Sequence, residues 1–142
     1  MEWMILPYKR YFDFSGRSRR KEYWMFFLFV FIVEAIIFSI IFSQVPFTED
    51  AIAAMETNGP SGLFFWGFAL LGIFGLATII PSIAVQVRRF HDQDKSGWMV
   101  LLNLVPAIGG LIVLVFMFLE GTKGPNRYGP DPKDPAGAAV FA

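Results

Sequence analysis

The stretch VRRFHDQDKSGW, residues 87–98, contains the side chains of this sequence that are best suited to chemistry. His91 is the single histidine of the chain, and Asp92 follows it directly. An imidazole beside a carboxylate can act as a general acid or base near neutral pH. No nucleophile is evident within reach, however, and one histidine with Asp92 and Asp94 falls short of the three or four ligands that a metal ion commonly takes. We therefore expect no catalytic residues, no metal site and no cofactor.

The composition indicates a membrane protein rather than a soluble domain. Hydrophobic residues make up 55% of the 142 positions, a count that leaves glycine out, and charged residues make up 17%. Soluble domains average about 45–50% apolar residues with glycine included, and about 25% charged residues. Twelve basic and twelve acidic residues cancel, so nothing predicts the basic face that nucleic-acid binding needs. The absence of cysteine excludes disulfides, thiolate metal sites and cysteine nucleophiles.

Three apolar runs, at residues 23–43, 63–85 and 98–119, each reach the length of a membrane span. About 20 apolar residues cross the roughly 30 Å of hydrocarbon, because a helix rises about 1.5 Å per residue. We therefore predict an all-α integral membrane helical bundle with three transmembrane helices. In this prediction residues 1–132 form a single membrane domain, and residues 133–142 form a flexible, disordered tail.

The third run contains helix-breaking residues, which leave its path open. Pro106, Gly109 and Gly110 interrupt it, so we predict a single crossing that is kinked there. The alternative is a re-entrant hairpin that turns at PAIGG and returns the tail to the side from which the run started. Each limb of such a hairpin has about ten residues, which is too short to span the hydrocarbon.

The distribution of Lys and Arg predicts the orientation of the helices. Six of these residues precede the first run, none lies in the connection 44–62, and three lie in the connection 86–97. Because cytoplasmic connections carry the excess of Lys and Arg, we place the N-terminus and residues 86–97 in the cytoplasm and residues 44–62 outside. Residues 1–22 mix aromatic and charged side chains, which is typical of a segment lying at the headgroup level.

Three polar motifs flank the apolar runs, and their order resembles that of a bacterial family. DFSGRSRRKEYW precedes the first run, RRFHDQDKSGW connects the second and third runs, and GTKGPNRYGPDP follows the third. Together they cover about residues 12–132 and resemble the inner-membrane proteins catalogued as domain of unknown function 805. The resemblance implies a small protein of the bacterial inner membrane, and it implies no activity.

Twelve residues of these motifs are candidates for contact with lipids or with a protein partner. Arginine offers paired donors to anionic headgroups, and tryptophan favours the membrane boundary. Asp92 needs a further explanation, because a positive-inside signal requires no acidic residue, and we expect it to pair with the GRSRR segment as a structural clasp. The candidates are Arg17, Arg19, Arg20, Lys21, Trp24, Arg88, Arg89, His91, Asp92, Trp98, Asn126 and Arg127.

Four polar residues lie within or at the end of the apolar runs. Glu34 lies near the middle of the first run, where a carboxylate costs about 2.5–3.5 kcal/mol even on insertion scales. Thr78, Ser82 and Gln86 recur every four residues on one helix face, as in membrane helices that pack through small and hydroxyl side chains. We call these three residues the polar stripe, and we expect Glu34 to face protein and to pack near Thr78.

Three functions compete for this sequence. The favoured hypothesis is a non-enzymatic scaffold or accessory subunit that is held by lipid and partner contacts. The second is an oligomeric transporter or channel subunit in which Glu34 and the polar stripe line a path. The third is a lipid-modifying enzyme that uses His91 and Asp92. The expected partners are membrane lipids with anionic headgroups, a second copy of the chain or another membrane protein, and no nucleic acid.

Overall fold

A computed structural model describes residues 2–134, in which the regular elements are helices and no β-strand is present. The predicted helical class is therefore confirmed, while most of the predicted tail, 133–142, lies outside the described residues. Two units divide the described chain: the first comprises 2–28 and 79–134, and the second comprises 29–78. The elements in chain order are α1 (Glu2–Lys9), α2 (Arg20–Phe42), α3 (Glu49–Asn58), α4 (Gly62–Asp92), a 3-10 helix (Gly97–Leu104) and α5 (Gly109–Phe118).

Among the described residues, α2 and α4 are the two helices that are long and apolar enough to cross a membrane. They have 23 and 31 residues, which correspond to about 34 and 46 Å at 1.5 Å per residue. The predicted runs 23–43 and 63–85 coincide with them. Because α4 continues through Arg88 to Asp92, the charged motif forms the last turns of a helix rather than a loop. The connection that follows it is only residues 93–96.

The third apolar run does not form one helix, so the predicted third spanning helix is not confirmed. Its first part, Gly97–Leu104, is a 3-10 helix, and its second part, α5, rises only about 15 Å. The two parts pack against each other. The end of α5 returns to the end of α4, because the Gln93 side chain donates to the Phe116 carbonyl at 2.7 Å and the Phe90 and Phe116 rings lie 5.7 Å apart. The run is therefore a hairpin.

Small residues and one side-chain hydrogen bond shape this hairpin. Gly109 begins α5, and a Cβ at this position would overlap the carbonyl oxygen of Leu102 in the other limb. Ala107, in the turn, has a φ of 67°, in the left-handed region that non-glycine residues seldom adopt. Asn103 donates a 2.8 Å hydrogen bond to the side-chain oxygen of Gln86 on α4. The hairpin is thus closed by glycine at its turn and tied to α4 through its first limb.

The second unit contains the C-terminal part of α2, the helix α3 and the N-terminal part of α4. Thr48 caps α3 by accepting a hydrogen bond from the Ala51 amide. The Ser61 hydroxyl donates to the side-chain oxygen of Gln44 at 3.0 Å, which joins the two ends of the connection between the long helices. The connection 44–62 thus contains the helix α3, Glu49–Asn58, between two ends that are hydrogen-bonded to each other.

The hairpin predicts that residues 96 and 123, which flank it, lie on the same side of the membrane. The chain has no cysteine, so Ser96→Cys and Lys123→Cys each introduce one thiol at an exposed position. We expect an impermeant maleimide to label both variants alike, either in intact cells or only after permeabilisation. Glu56→Cys, in α3, marks the other side and should behave oppositely. Labelling of Lys123→Cys under the same conditions as Glu56→Cys would contradict the hairpin and support a third crossing.

Candidate functional site

Five charged side chains near the start of α2 and the end of α4 are almost fully buried. Arg88 and Arg89 are 0% exposed, and Arg17, Glu22 and Asp92 are 4%, 3% and 3% exposed. Removing a charge from water costs several kcal/mol unless the charge is paired and hydrogen-bonded. Each of these groups therefore needs a partner inside the protein. We call the five residues the polar cluster.

Asp92 is the centre of the polar cluster. Its Oδ1 accepts a hydrogen bond from Nε of Arg17 at 3.0 Å, and its Oδ2 accepts one from Nη1 of Arg89 at 2.5 Å. Arg89 lies three residues earlier on α4, which places both side chains on one helix face. Arg17 lies in the segment before α2, 75 residues away in sequence. The predicted ion pair between Asp92 and the GRSRR segment is confirmed.

A second ion pair joins the first turn of α2 to the last turns of α4. Arg88 donates through Nη2 to Oε1 of Glu22 at 3.0 Å. The same guanidinium donates to the Asp13 carbonyl, and the Ser18 amide donates to the Arg88 carbonyl at 3.1 Å. This pair holds the start of α2 against the end of α4, and the Asp92 pair holds the preceding segment there.

The polar cluster also binds the chain that follows α5. Arg17 donates through Nη2 to the Thr122 carbonyl at 2.6 Å and through Nη1 to the Gly124 carbonyl at 2.7 Å. The Thr122 amide in turn donates to the Asp92 carbonyl at 2.8 Å. The Arg17 guanidinium therefore connects three stretches that are distant in sequence. They are the N-terminal segment before α2, the end of α4 and the C-terminal motif GTKGPNRYGPDP, residues 121–132.

Further contacts fix the chain between the end of α5 and the C-terminal motif. Arg89 donates through Nη2 to the Leu119 carbonyl. The side-chain amide of Asn126 donates to the His91 carbonyl at 2.9 Å. Gly121 lies so close to the central carboxylate that a Cβ there would overlap it. These contacts place the second end of the hairpin at the end of α4, from which only residues 93–96 separate its first end.

Burial is the largest influence on the ionisation of the cluster. It raises the pKa of Asp92 and lowers the pKa of both Arg88 and Arg89, because each charged form loses its hydration. Ion pairing opposes these shifts, since Arg89 and Arg17 lower the pKa of Asp92 and Glu22 raises the pKa of Arg88. Buried pairs of this kind add little net stability, whereas loss of one partner costs about 3–5 kcal/mol by leaving a charge uncompensated.

His91 does not pair with Asp92, although the two residues are adjacent. Successive side chains on a helix point about 100° apart, and both Asp92 oxygens already bind arginines. Nδ1 of His91 lies 3.2 Å from the Gly16 carbonyl, which can only accept, so Nδ1 carries the hydrogen. The ring stacks on Tyr128 with centroids 3.8 Å apart. The imidazole–carboxylate pair that a lipid-modifying enzyme would use is therefore not formed.

His91 instead lines an apolar cavity of about 600 Å³ beside the 3-10 helix, together with Val87 and Trp98. Burial lowers the pKa of His91, the hydrogen bond to the Gly16 carbonyl opposes this shift, and Arg127 adds to it. Within residues 2–134, no three His, Cys, Asp or Glu side chains gather closely enough to share a metal ion. The surroundings of His91 favour a neutral imidazole that packs between two segments.

Several residues predicted to contact lipid or a partner lie inside the protein. Four of them are buried, and each pairs with a charged group of the protein itself: Arg17, Arg88, Arg89 and Asp92. His91 likewise contacts the chain's own backbone and Tyr128. These residues therefore connect segments of the protein to one another.

Other predicted contact residues lie closer to the surface. The Arg19 guanidinium and the Lys21 ammonium lie 5.6 and 5.7 Å from the centre of the Trp3 ring on α1. Arg20 pairs with Glu120, and their side chains are 40% and 61% exposed. These cations remain available to groups outside the chain, because water or a headgroup can reach them.

The aromatic candidates and Arg127 occupy different positions. Trp24 contacts the ring of Phe118 with centroids 4.3 Å apart, so it fastens the end of α5 to α2. Trp98 is 78% exposed. Arg127 pairs with Asp94 at 3.1 Å, a pair that is about half exposed on both sides. Of these three predicted contact residues, Trp98 is the most exposed.

The polar stripe is largely covered. Thr78 is 6% exposed, and its hydroxyl donates to the Phe74 carbonyl at 2.7 Å. Ser82 is half-buried, and Gln86 accepts the hydrogen bond from Asn103. These positions fit helix packing better than the lining of a path.

Glu34 is exposed in the single chain, which corrects the expectation that it turns inward to Thr78. It lines a cavity of about 670 Å³ in the second unit, whose α4 side includes Leu71 and Gly75. Among the described residues, none makes a hydrogen bond or an ion pair with the Glu34 carboxyl group. The apolar cavity therefore offers this group no hydrogen-bonding partner among residues 2–134.

Several residues of the site escaped sequence reasoning. Glu22 carried a usable signal, because an acidic residue among six basic ones has no role in orienting the protein, and that same reasoning identified Asp92. Gly121, Thr122 and Tyr128 carried no such signal. Gly121 and Thr122 contribute a missing side chain and backbone groups, and Tyr128 contributes a ring face, so their positions become apparent only when the C-terminal motif meets α4.

Acidification should destabilise the fold through His91. Because the pKa of His91 is lowered in the folded state, the unfolded chain binds the proton more readily, and stability falls as the pH decreases through the ordinary value of about 6.5. We expect the thermal midpoint in detergent to decline between about pH 7 and pH 5 in the wild type, and to decline less in His91→Phe. The phenyl ring keeps the stack on Tyr128 but does not titrate. Equal slopes for the two proteins would contradict this role of His91.

The comparisons with known proteins agree with the motif order. A family model described as "Protein of unknown function (DUF805)" matches residues 11–130. Inner membrane protein YhaH of Escherichia coli (strain K12) is 43% identical over 133 residues, which cover 94% of this chain and 98% of that protein. Inner membrane protein YhaI of the same strain is 45% identical over 133 residues, covering 94% and 97%. No solved structure matches the chain significantly.

A more distant relative extends the comparison. Uncharacterized protein YiiR of Escherichia coli (strain K12) is 26% identical over 148 aligned positions, which cover 87% of this chain and 88% of that protein. The family model spans the segment before α2, both long helices, the hairpin and the C-terminal motif, so it includes every part of the polar cluster. On these matches, the chain belongs to the DUF805 family of bacterial inner-membrane proteins.

Proposed function

We propose that this protein is a non-enzymatic scaffold or accessory subunit of the bacterial inner membrane. α2 and α4 span the bilayer, and residues 97–118 form a re-entrant hairpin. The N-terminal segment, the end of α4 and the C-terminal motif together form a folded cytoplasmic face. The observation that carries this proposal is the polar cluster, in which three arginines and two carboxylates hold these segments to one another.

The hydrogen-bond partners of the polar cluster support a structural role. An active site presents its charged groups to a cavity, where a substrate can reach them. Here both oxygens of Asp92 bind arginines, and Arg17 donates to backbone carbonyls of the C-terminal motif. The cavity beside His91 is mainly apolar. The polar groups of the site therefore serve the assembly of the face itself.

The charge distribution supports the cytoplasmic location of this face. All 12 Lys and Arg residues fall within 9–21, 88–95 and 123–133. Contacts of the polar cluster bring these three segments together, so the basic residues in 123–133 agree with the orientation that the other two segments predict. In the labelling experiment above, this orientation requires that Glu56→Cys react in intact cells and that Ser96→Cys react only after permeabilisation.

The transporter alternative gains less support from the same contacts. A path through the membrane needs polar groups that face an open route. Gln86 is hydrogen-bonded to Asn103 of the hairpin, and Thr78 is buried and donates to its own helix. The polar stripe therefore fits packing of α4, and residues 2–134 offer Glu34 no polar partner with which to form such a path.

The accessible cations of the face should select anionic lipids. Arg19 and Lys21 lie together over Trp3, whereas Lys123 lies in the C-terminal motif and Lys133 directly follows it. In vesicles that mix phosphatidylglycerol with phosphatidylethanolamine, we expect Arg19→Gln/Lys21→Gln to lose enrichment of the anionic lipid, by about fivefold per charge near the surface. Lipid composition around the purified protein is measured by mass spectrometry.

The matched control removes the same charge elsewhere on the face. Lys123→Gln/Lys133→Gln should retain most of the enrichment, because neither lysine lies over the Trp3 ring as Arg19 and Lys21 do. Equal loss in the two double variants would mean that net charge alone attracts the lipid. Unchanged enrichment in Arg19→Gln/Lys21→Gln would contradict lipid binding by these two residues. A protein partner would then be the expected ligand of Arg19 and Lys21.

A further inference from the structure

Glu34 is the single charged residue in the apolar run of α2, and the run in α4 contains none. It lies 14 residues after Arg20 and 8 residues before Phe42, or about 21 and 12 Å from the two ends of the helix at 1.5 Å per residue. Both distances place it inside roughly 30 Å of hydrocarbon. A carboxyl group at this depth needs a polar partner, and the described part of its own chain supplies none.

The face around Glu34 is shaped to receive another helix. Phe31, Glu34, Ala35 and Phe38 follow the spacing i, i+3, i+4, i+7, so they form one exposed stripe of α2. All four line the cavity of about 670 Å³. On the α4 side of this cavity Gly75 leaves open space, because a Cβ there would meet no atom within 4 Å.

We propose that a second copy of this chain occupies this face, and that the two Glu34 side chains hydrogen-bond to each other. In a twofold dimer whose axis is normal to the membrane, identical residues lie at the same depth, and those on the shared face meet near the axis. A carboxyl group that holds its proton donates one hydrogen bond and accepts another, so two such groups satisfy each other. Lipid tails offer no such partner.

The second copy is favoured over other occupants by what the membrane runs contain. No Lys, Arg or His lies in residues 23–43 or 63–85, so Glu34 itself is the strongest polar group that another copy brings to this depth. The groove is otherwise apolar, which suits the phenylalanines of a second α2. This pairing does not depend on the proposed function, because the polar cluster lies in the first unit and Glu34 in the second.

Cysteine cross-linking in native membranes tests the proposal directly, because the chain has no cysteine. Ala35→Cys places a thiol on the proposed face, and Ile36→Cys places one about 100° around the helix, outside the stripe, at nearly the same depth. Mild oxidation should link Ala35→Cys into a homodimer and leave Ile36→Cys monomeric. Coexpression of two differently tagged copies identifies the product, since a homodimer contains both tags.

Substitutions of Glu34 in the Ala35→Cys background test the hydrogen bond. Glu34→Gln keeps a donor and an acceptor, so the cross-linked fraction should stay near that of the parent. Glu34→Leu fits the apolar face but removes both groups, and association should weaken by about 5- to 30-fold. Monomeric Ala35→Cys, equal linking at both positions, a product that contains another protein, or undiminished linking in Glu34→Leu would each overturn the proposal.

Discussion

Asp92 binds two guanidinium groups, and this pairing determines where four separate stretches of the chain meet. Arg89 is presented by the same helix, while Arg17 comes from the segment before α2 and carries the C-terminal motif with it through backbone carbonyls. The physical constraint is that none of these charges can remain buried alone. The segment before α2, the end of α4, the close of the hairpin and the C-terminal motif therefore meet at the Asp92 pair.

The path of the third apolar run follows from the same constraint. The carbonyl of Leu119 at its end receives a hydrogen bond from Arg89, and Phe116 receives one from Gln93, so the run must finish where it began. Hydrophobicity alone would allow a crossing, since the run has the necessary length. The polar contacts at the end of the run favour the hairpin. Glu34 presents the opposite case, because no contact within the described chain satisfies it.

Sequence patterns predicted those parts of the fold that depend on composition and periodicity. The two long helices follow from uninterrupted apolar runs, and the Arg17–Asp92 pair follows from an acidic residue that positive-inside orientation does not explain. The path of the third run could not be predicted in this way, because hydropathy records what a segment buries and not whether it reverses. Its breakers, Pro106 and Gly109, signalled an interruption without indicating whether the chain would kink or return.

The site was predicted in part for similar reasons. Charges identify themselves in an apolar sequence, but their partners here include backbone carbonyls of Thr122 and Gly124, which any residue could supply. The face assigned to lipid contact therefore proved to be partly internal. Burial decides between these two roles, and burial of a charged side chain depends on contacts that span 75 to 107 residues of sequence.

A double-mutant cycle between Arg17 and Asp92 tests most directly whether the cluster holds the fold together. The free energies of unfolding in detergent are compared for the wild type, Arg17→Gln, Asp92→Asn and the double variant, with Arg127→Gln and Asp94→Asn as the exposed reference pair. We predict a coupling of about 1–3 kcal/mol for the buried pair, and less than about 1 kcal/mol for the exposed pair. If the two buried substitutions prove additive within about 0.5 kcal/mol, the central role of Asp92 is contradicted.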